Sequence, residues 1–516
     1  MACNKLLGFS FCFHILFLIL LLISSSLLPT TIAKGFSIQE ATVYDLQLAF
    51  QRNLLTSRQL VEFYHKQIQT QNPVLRGVLE LNPDALAQAD KADQERKAKA
   101  PSSLSTLHGI PILVKDNIAT KDKMNTTAGS FALLGSVVPR DAGVITRLRK
   151  AGAIILGKAT LSEWSHYRSN DAPSGWNGRG GQGKNPYTMD DPCGSSSGSA
   201  ISVAANLAAL SLGSETDGSI LCPSDYNSVV GIKPTVGLTS RAGVVPITPR
   251  QDTIGPICRT VSDAALVLET IAGIDINDKA TIKASKYVPR GGYAQFLKKD
   301  GLRGKRLGVV RIFYSVFGND TFKRDTFEMH LKTLRQKGAV LVDNLAIDNL
   351  QEIFKDQSEN IAIAYEFKLS LNAYLRDLVA SPVRSLADVI AFNNKHPKLE
   401  KLKEYGQDLM LIAQKTKGVR ELREAVLDMA RLSHIGFEKL MITNKLDAVV
   451  VPLSFFNSIL ARGGYPAVTV PAGYSKGAPF GIIFGGLKGS EPKLIEIAYS
   501  FEQATMIRKP PPLRKL

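Results

Sequence analysis

The sequence predicts an α/β fold, and three observations carry that prediction. From Gly109 onward, short apolar runs of strand length alternate with stretches of helical period. Apolar residues make up 44% of the chain and charged residues 21%, which excludes disordered, collagen-like and polytopic membrane classes. The 516 residues supply a large core. By length alone they would allow about three domains of roughly 100–200 residues, or one large α/β unit.

The elements follow in order. Ser37-Ile-Gln-Glu40 reads as a capping box ahead of a first helix, and Thr56-Ser-Arg-Gln59 as a second one ahead of Leu60, Val61 and Tyr64. Asp84 to Ala100 is a polar-faced helix. Gly109 to Lys115 is a short apolar strand ending on a lysine, Ala142 to Lys150 a helix, and Ala153 to Gly157 another strand. Asn170 to Ser199, rich in Gly, Ser, Asn and Pro, reads as a loop, and the uncharged, alanine-rich helix Ala200 to Ala209 must be buried on every side. Ala208 to Gly213, Val229 to Lys233 and Gly243 to Ile247 are further apolar segments. Leu307 to Ile312 and Ala339 to Val342 read as strands around a basic helix from Phe322 to Lys337. A charge-rich helical region covers about 350–445, and Asp447 to Pro452 returns to a strand. There is no internal repeat.

Residues 1–33 read as a secretory signal peptide. No charge occurs between Lys5 and Lys34, the run Ile15 to Ile23 is wholly apolar, Pro29 breaks the helix, and Thr31-Ile32-Ala33 suits cleavage after Ala33. The alternative is an uncleaved anchor, since Leu6 to Leu28 is long enough to span a bilayer. The expected product is a secreted protein over 34–516, in contact with a membrane only if the segment is retained. Of five cysteines, Cys3 and Cys12 leave with the leader, and Cys193, Cys222 and Cys258 allow one disulfide at most. Asn125-Thr-Thr and Asn319-Asp-Thr are N-glycosylation triplets. The 63 basic against 46 acidic residues, net +17, make polyanions conceivable neighbours, and the seven scattered histidines argue against a histidine-built metal site or base.

Three motif matches fail on context. Gly178-Arg-Gly-Gly-Gln-Gly183 fits a dinucleotide fingerprint, but Trp176-Asn177 before it is no strand and Asn185-Pro186 after it cannot open a helix. As a phosphate loop, Gly178 to Lys184 has Asn185 where Ser/Thr is needed. Gly194-Ser-Ser196-Ser-Gly198 fits a nucleophile elbow, which would make Ser196 the nucleophile with an Asp and one of His330, His396 or His434, but no strand leads into it. More residues are accounted for together by Lys115 at a strand end, Ser195 in a serine loop before an apolar helix, and Ser219 after Glu215-Thr-Asp-Gly218. Singly, each has a bland reading as solvated lysine, linker or turn. A flexible linker, however, would not run directly into a fully apolar helix.

With these residues the chain resembles the amidase signature family. The likeness rests on Gly109-Ile-Pro-Ile-Leu-Val-Lys115-Asp-Asn117, Gly194-Ser-Ser-Ser-Gly-Ser-Ala200 and Gly213-Ser-Glu-Thr-Asp-Gly-Ser219-Ile220, with 24 residues between Ser195 and Ser219. It continues through Val230 to Thr235, Gly237 to Arg241 and Gly464 to Gly473, reaching Thr505. It implies one compact α/β/α domain on a mixed, mostly parallel twisted sheet, and hydrolysis of a carboxamide C–N bond through an acyl-enzyme. It further implies a Ser-Ser-Lys triad: Ser219 as nucleophile, Ser195 as bridging serine in a cis peptide, and Lys115 as base. The backbone amides of Thr216, Asp217, Gly218 and Ser219 match the family's oxyanion loop. A lysine base demands a pKa lowered by burial by roughly 2–3 units.

No metal or cofactor is expected, and the partner is a small-molecule or peptide amide rather than nucleic acid. The chain departs from the commonest family pattern at Glu215 and Asp217, where Asp and Gly are usual, and at Leu221, where arginine is frequent. These departures and Pro192-Cys193-Gly194 are most similar to the peptide-amidase branch. Alternatives are a fatty-acid amide hydrolase and, in another class, a non-catalytic amidase-like docking protein. A transamidating subunit acting on transfer RNA is disfavoured by the leader.

Overall fold

A computed structural model describes residues 36–98, 104–452 and 456–512. The leader expected over residues 1–33 lies outside them. The described residues from Ile38 onward form one compact unit.

Among the described residues, eleven strands make one sheet. In chain order these are β1 (Val78–Leu81), β2 (Pro111–Lys115), β3 (Ile154–Ala159), β6 (Leu210–Glu215), β7 (Val230–Lys233), β8 (Thr253–Cys258), β9 (Arg306–Val309), β10 (Val340–Val342), β11 (Ala448–Pro452), β12 (Ala467–Ser475) and β13 (Ala478–Gly485). The two-residue strands β4 (Trp176–Asn177) and β5 (Gly181–Gln182) pair separately. The order across the large sheet is β1-β3-β2-β6-β8-β7-β12-β13-β11-β9-β10. The sheet is mixed. Parallel pairs β2–β3 and β2–β6 lie on one side and β9–β10 and β9–β11 on the other. Antiparallel pairs, six against these four, join the two blocks through β8, β7, β12 and β13 and add β1 at the edge.

Every residue of β2, β3, β6, β7, β8 and β11 is buried. Successive strand side chains point to opposite faces, so full burial means that both faces are covered, which gives the α/β/α layering. The helix Ser197–Ala204 packs on β6 and β8, Leu221–Tyr226 on β7, β12 and β13, Val261–Ile271 on β8, and Glu491–Thr505 on β12. One core cluster joins Leu221, Val310, Phe313, Phe437, Val449, Phe456 and Ile483.

Several elements differ from the sequence reading. The first helix, Val43–Gln51, is capped by Thr42, whose hydroxyl accepts from Asp45 N at 3.2 Å while the Asp45 carboxylate accepts from Thr42 N at 3.0 Å. Ser37 to Glu40 is no cap: Glu40 has a left-handed backbone, and its carboxylate is taken by Asn206 and Arg508. The second capping box stands as expected, with Thr56 and Gln59. The alanine-rich helix stops at Ala204, because Asn206 turns left-handed and leads the chain into β6. Trp176-Asn177, expected to be no strand, forms with Gly181-Gln182 a hairpin of two residues a side, and the next helix begins only at Ser197.

Candidate active site

β2 and β6 are parallel neighbours, and the site lies beyond their carboxyl ends, where open α/β sheets commonly place ligands. Lys115 is the last residue of β2, and Ser214 and Glu215 end β6. The Lys115 side chain is wholly buried. Its Nζ donates to Ser195 Oγ at 2.7 Å, to Ser214 O at 3.0 Å and to Ser214 Oγ at 3.0 Å. Burial lowers its pKa from the ordinary 10.5 to about 7, an effect that the negative charges of Glu215 and Asp252 moderate.

Ser195 follows a cis peptide from Gly194. Its carbonyl accepts from Ser162 N at 3.0 Å, and the next residue's amide, Ser196 N, donates to Ser219 O at 3.1 Å, so the two serine segments are joined backbone to backbone. Gly198 opens the helix behind them. A Cβ there would come within 2.3 Å of Gly77 O and 2.5 Å of Thr160 N, an approach that only glycine allows. A disulfide, Cys193–Cys222, adds a covalent link two residues before Ser195 and three after Ser219, and Cys258 is free and buried.

The turn 216–219 is held at both ends. Thr216 Oγ1 donates to Asp252 Oδ1 at 2.7 Å. Glu215 Oε2 accepts from Ile220 N at 2.6 Å and Leu221 N at 2.9 Å, capping the helix that follows. Gly218 has φ of +75°, and a Cβ on it would lie 2.8 Å from the Asn457 side chain, so this bend needs glycine. Ser219 is 8% exposed. Leu221 is fully buried in the core cluster, which explains an apolar residue where arginine is frequent in the resembled family.

Sequence reasoning missed the groups behind the lysine. Asn117 Nδ2 donates to Ser214 Oγ at 2.9 Å and to Ser165 Oγ at 3.2 Å, fixing the hydroxyl that Lys115 uses. Ser165 belongs to a run of three left-handed residues, Trp164, Ser165 and His166, a costly conformation for side-chain-bearing residues and one that tends to occur at functional sites. Asn117 and Ser214 lie in the quoted motifs, but their spacing carries no sign of contact. A cavity of about 20 Å³ lined by Asn117, Ser165, Ser214, Thr216 and Asp252 adjoins them. A larger cavity of about 1010 Å³, lined among others by Val43, Phe50, Asp93 and Leu266, is bordered by none of Lys115, Ser195 and Ser219.

The elbow alternative fails here. Ser196 is fully buried, its hydroxyl donating to Ser214 O at 3.0 Å and accepting from Ser214 N at 3.2 Å. His330 bonds Ala472 O and His434 bonds Glu438.

The family model for amidases matches residues 59–495. The chain belongs to the amidase family. It is accordingly an amide hydrolase. A probable amidase of Arabidopsis thaliana is 58% identical over 505 residues, covering 96% of this chain and 97% of that one. Among solved structures, the peptide amidase of Stenotrophomonas maltophilia superposes with a TM-score of 0.87 at 43% identity, covering 92% of this amidase and 99% of that chain. An amidase family protein of Bacillus anthracis gives 0.86 at 37% identity, covering 95% and 97%.

Proposed function

We propose that this amidase cleaves small or peptide carboxamides through Lys115, Ser195 and Ser219, with neither metal nor organic cofactor. The contact of Lys115 Nζ with Ser195 Oγ at 2.7 Å carries the reading, because it joins a buried, readily neutral lysine to a serine hydroxyl. Neutral Lys115 takes the Ser195 proton while Ser195 takes that of Ser219, whose Oγ attacks the amide carbon. The oxyanion forms against the amides of the 216–219 turn, a type of contact worth about 10²–10³ in turnover per donor. The lysine proton returns through Ser195 to the nitrogen, the C–N bond breaks, and ammonia or an amine leaves from the acyl-serine. Water then hydrolyses the ester by the same proton route in reverse.

The likeness to a peptide amidase at 43% identity supports a peptide carboxamide as substrate over a fatty-acid amide. A docking protein without activity is disfavoured by the intact lysine–serine contact. A fluorophosphonate should label Ser219, located by mass spectrometry. Lys115→Ala and Ser195→Ala should each lower turnover by about 10²–10⁴. Near-normal hydrolysis in both would sink the triad, and a label on Ser196 would restore the elbow.

Export behind a cleaved leader over 1–33 belongs to the same proposal, and the Cys193–Cys222 disulfide supports an oxidising compartment. Of the two glycosylation triplets, Asn319 is exposed. Asn125 is half-buried, its Nδ2 donating to Glu80 Oε1 at 3.2 Å and its Oδ1 accepting from Gly135 N at 3.1 Å, so Asn319 is the favoured acceptor.

A further inference from the structure

The turn that carries Ser219 also carries a carboxylate for which the hydrolytic step has no use. Asp217 is exposed, whereas Glu215, Gly218, Ser219 and Ile220 around it are buried. It is not a free surface acid. Ser458 Oγ, from the helix Phe456–Gly463, donates to its Oδ2 at 2.6 Å. Although the residue reaches solvent, the surrounding protein desolvates its carboxylate and raises its pKa, and the Ser458 hydrogen bond, Lys233 and Arg462 favour the anion against that rise. Neither cation is spare: Lys233 Nζ donates to Tyr465 O at 2.6 Å, and Arg462 pairs with Asp356 and with Glu359 at 3.1 Å. Among the described residues Ser458 is the one hydrogen-bond donor to Asp217, so a carboxylate with accepting capacity left over stands at the open side of the nucleophile turn.

Asp217 precedes Ser219 by two residues in the same turn, and the group it could accept from is the α-substituent of a substrate that acylates Ser219. In an amino-acid or peptide amide the α-nitrogen is two bonds from the scissile carbonyl carbon, about 2.5 Å away by covalent geometry. It carries an N–H wherever the residue is not proline. We propose that Asp217 is a specificity-determining residue that accepts a hydrogen bond from this N–H, so that the enzyme prefers amides of amino acids and peptides to amides of plain carboxylic acids. The inference rests on Ser219 being the nucleophile. It also accounts for the chain departing from the commoner glycine at this position, since glycine offers no acceptor there. A hydrogen bond to a charged group supports a preference of roughly 10- to 100-fold.

The test compares kcat/KM for three amides: N-acetylphenylalaninamide, its α-N-methyl analogue, and 3-phenylpropanamide, which lacks the α-nitrogen. The wild-type enzyme should favour the first over the other two by roughly 10- to 100-fold. In Asp217→Ala, checked for native circular dichroism, that ratio should fall to near one, and Asp217→Asn, which keeps a neutral acceptor, should lie between. A wild-type ratio near one overturns the inference, as does an equal loss on all three amides in Asp217→Ala. The wild-type comparison stands even where a variant does not fold. Failure of the wild-type enzyme to hydrolyse any amide in a broad panel would instead overturn the hydrolytic reading on which the inference rests.

Discussion

Lys115 can act as a base near neutrality because the fold makes its charge expensive. A pKa brought from 10.5 to about 7 corresponds to about 5 kcal/mol against the ammonium form, supplied mainly by burial at the end of a strand covered on both faces. Glu215 and Asp252 partly offset that cost, and Ser195 and Ser214 accept the hydrogen bonds that a buried lysine must make. In the proposed mechanism the neutral form is the active one, and this sets the sign of the pH dependence. At low pH Lys115 is protonated and cannot accept the serine proton, so kcat/KM should rise with slope one through about pH 7 and level above it. A profile flat between pH 5.5 and 8.5 would contradict the assignment. Asn117 and Ser214 escaped sequence reasoning for a physical reason: their contact joins the end of β2 to the end of β6, 97 residues apart in the chain.

At the scale of elements, the site depends on two loops held together from opposite sides. The serine segment meets the nucleophile turn through Ser196 N to Ser219 O, and Cys193–Cys222 closes the same junction covalently over 29 residues. A cross-link over a loop of that length stabilises by about 3–4 kcal/mol in the chain-entropy account. The paired variant Cys193→Ser/Cys222→Ser should therefore lower the urea-unfolding free energy by roughly 2–4 kcal/mol. Activity per folded molecule should also drop, because one of the two ties between Ser195 and Ser219 is lost. An unchanged urea midpoint and unchanged activity would show that the backbone bond suffices. The helix Leu221–Tyr226 has its own anchor in Glu215, whose carboxylate holds two of its first amides. The glutamate and the leucine that depart from the commonest family pattern thus both have structural work: one shapes the turn and the other fills the core.

At the scale of the whole molecule, three lysines among the described residues are fully buried, with pKa values lowered by burial to about 7 for Lys115 and about 8 for Lys158 and Lys233. Unfolding returns each to about 10.4. Between about pH 8 and 9 these lysines make the unfolded chain bind more protons than the folded one, and stability should rise with pH across that window; above it the buried Cys258 thiol and buried tyrosines such as Tyr64 and Tyr374, whose pKa values burial raises, act in the opposite sense. Thermal unfolding should give a higher Tm at pH 9 than at pH 8, with a flatter slope in Lys158→Met; a Tm that falls over this interval would contradict it. The chain's length, first compatible with about three domains, is one unit from residue 38, because motifs from β2 to the helix Glu491–Thr505 build a single sheet. By itself the sequence determined the α/β class and the family, and it offered the two serines and the lysine as candidates and one disulfide at most among Cys193, Cys222 and Cys258. Apolar periodicity, glycine-bearing motifs and cysteine number are local properties of the chain. Only the tertiary structure decided which groups surround Lys115, which cysteine stays free, where the first helix is capped, and that Asp217 stands exposed beside Ser219. Each of those depends on residues brought together from distant segments, and desolvation, the force that tunes the lysine, exists only once the core has closed around it.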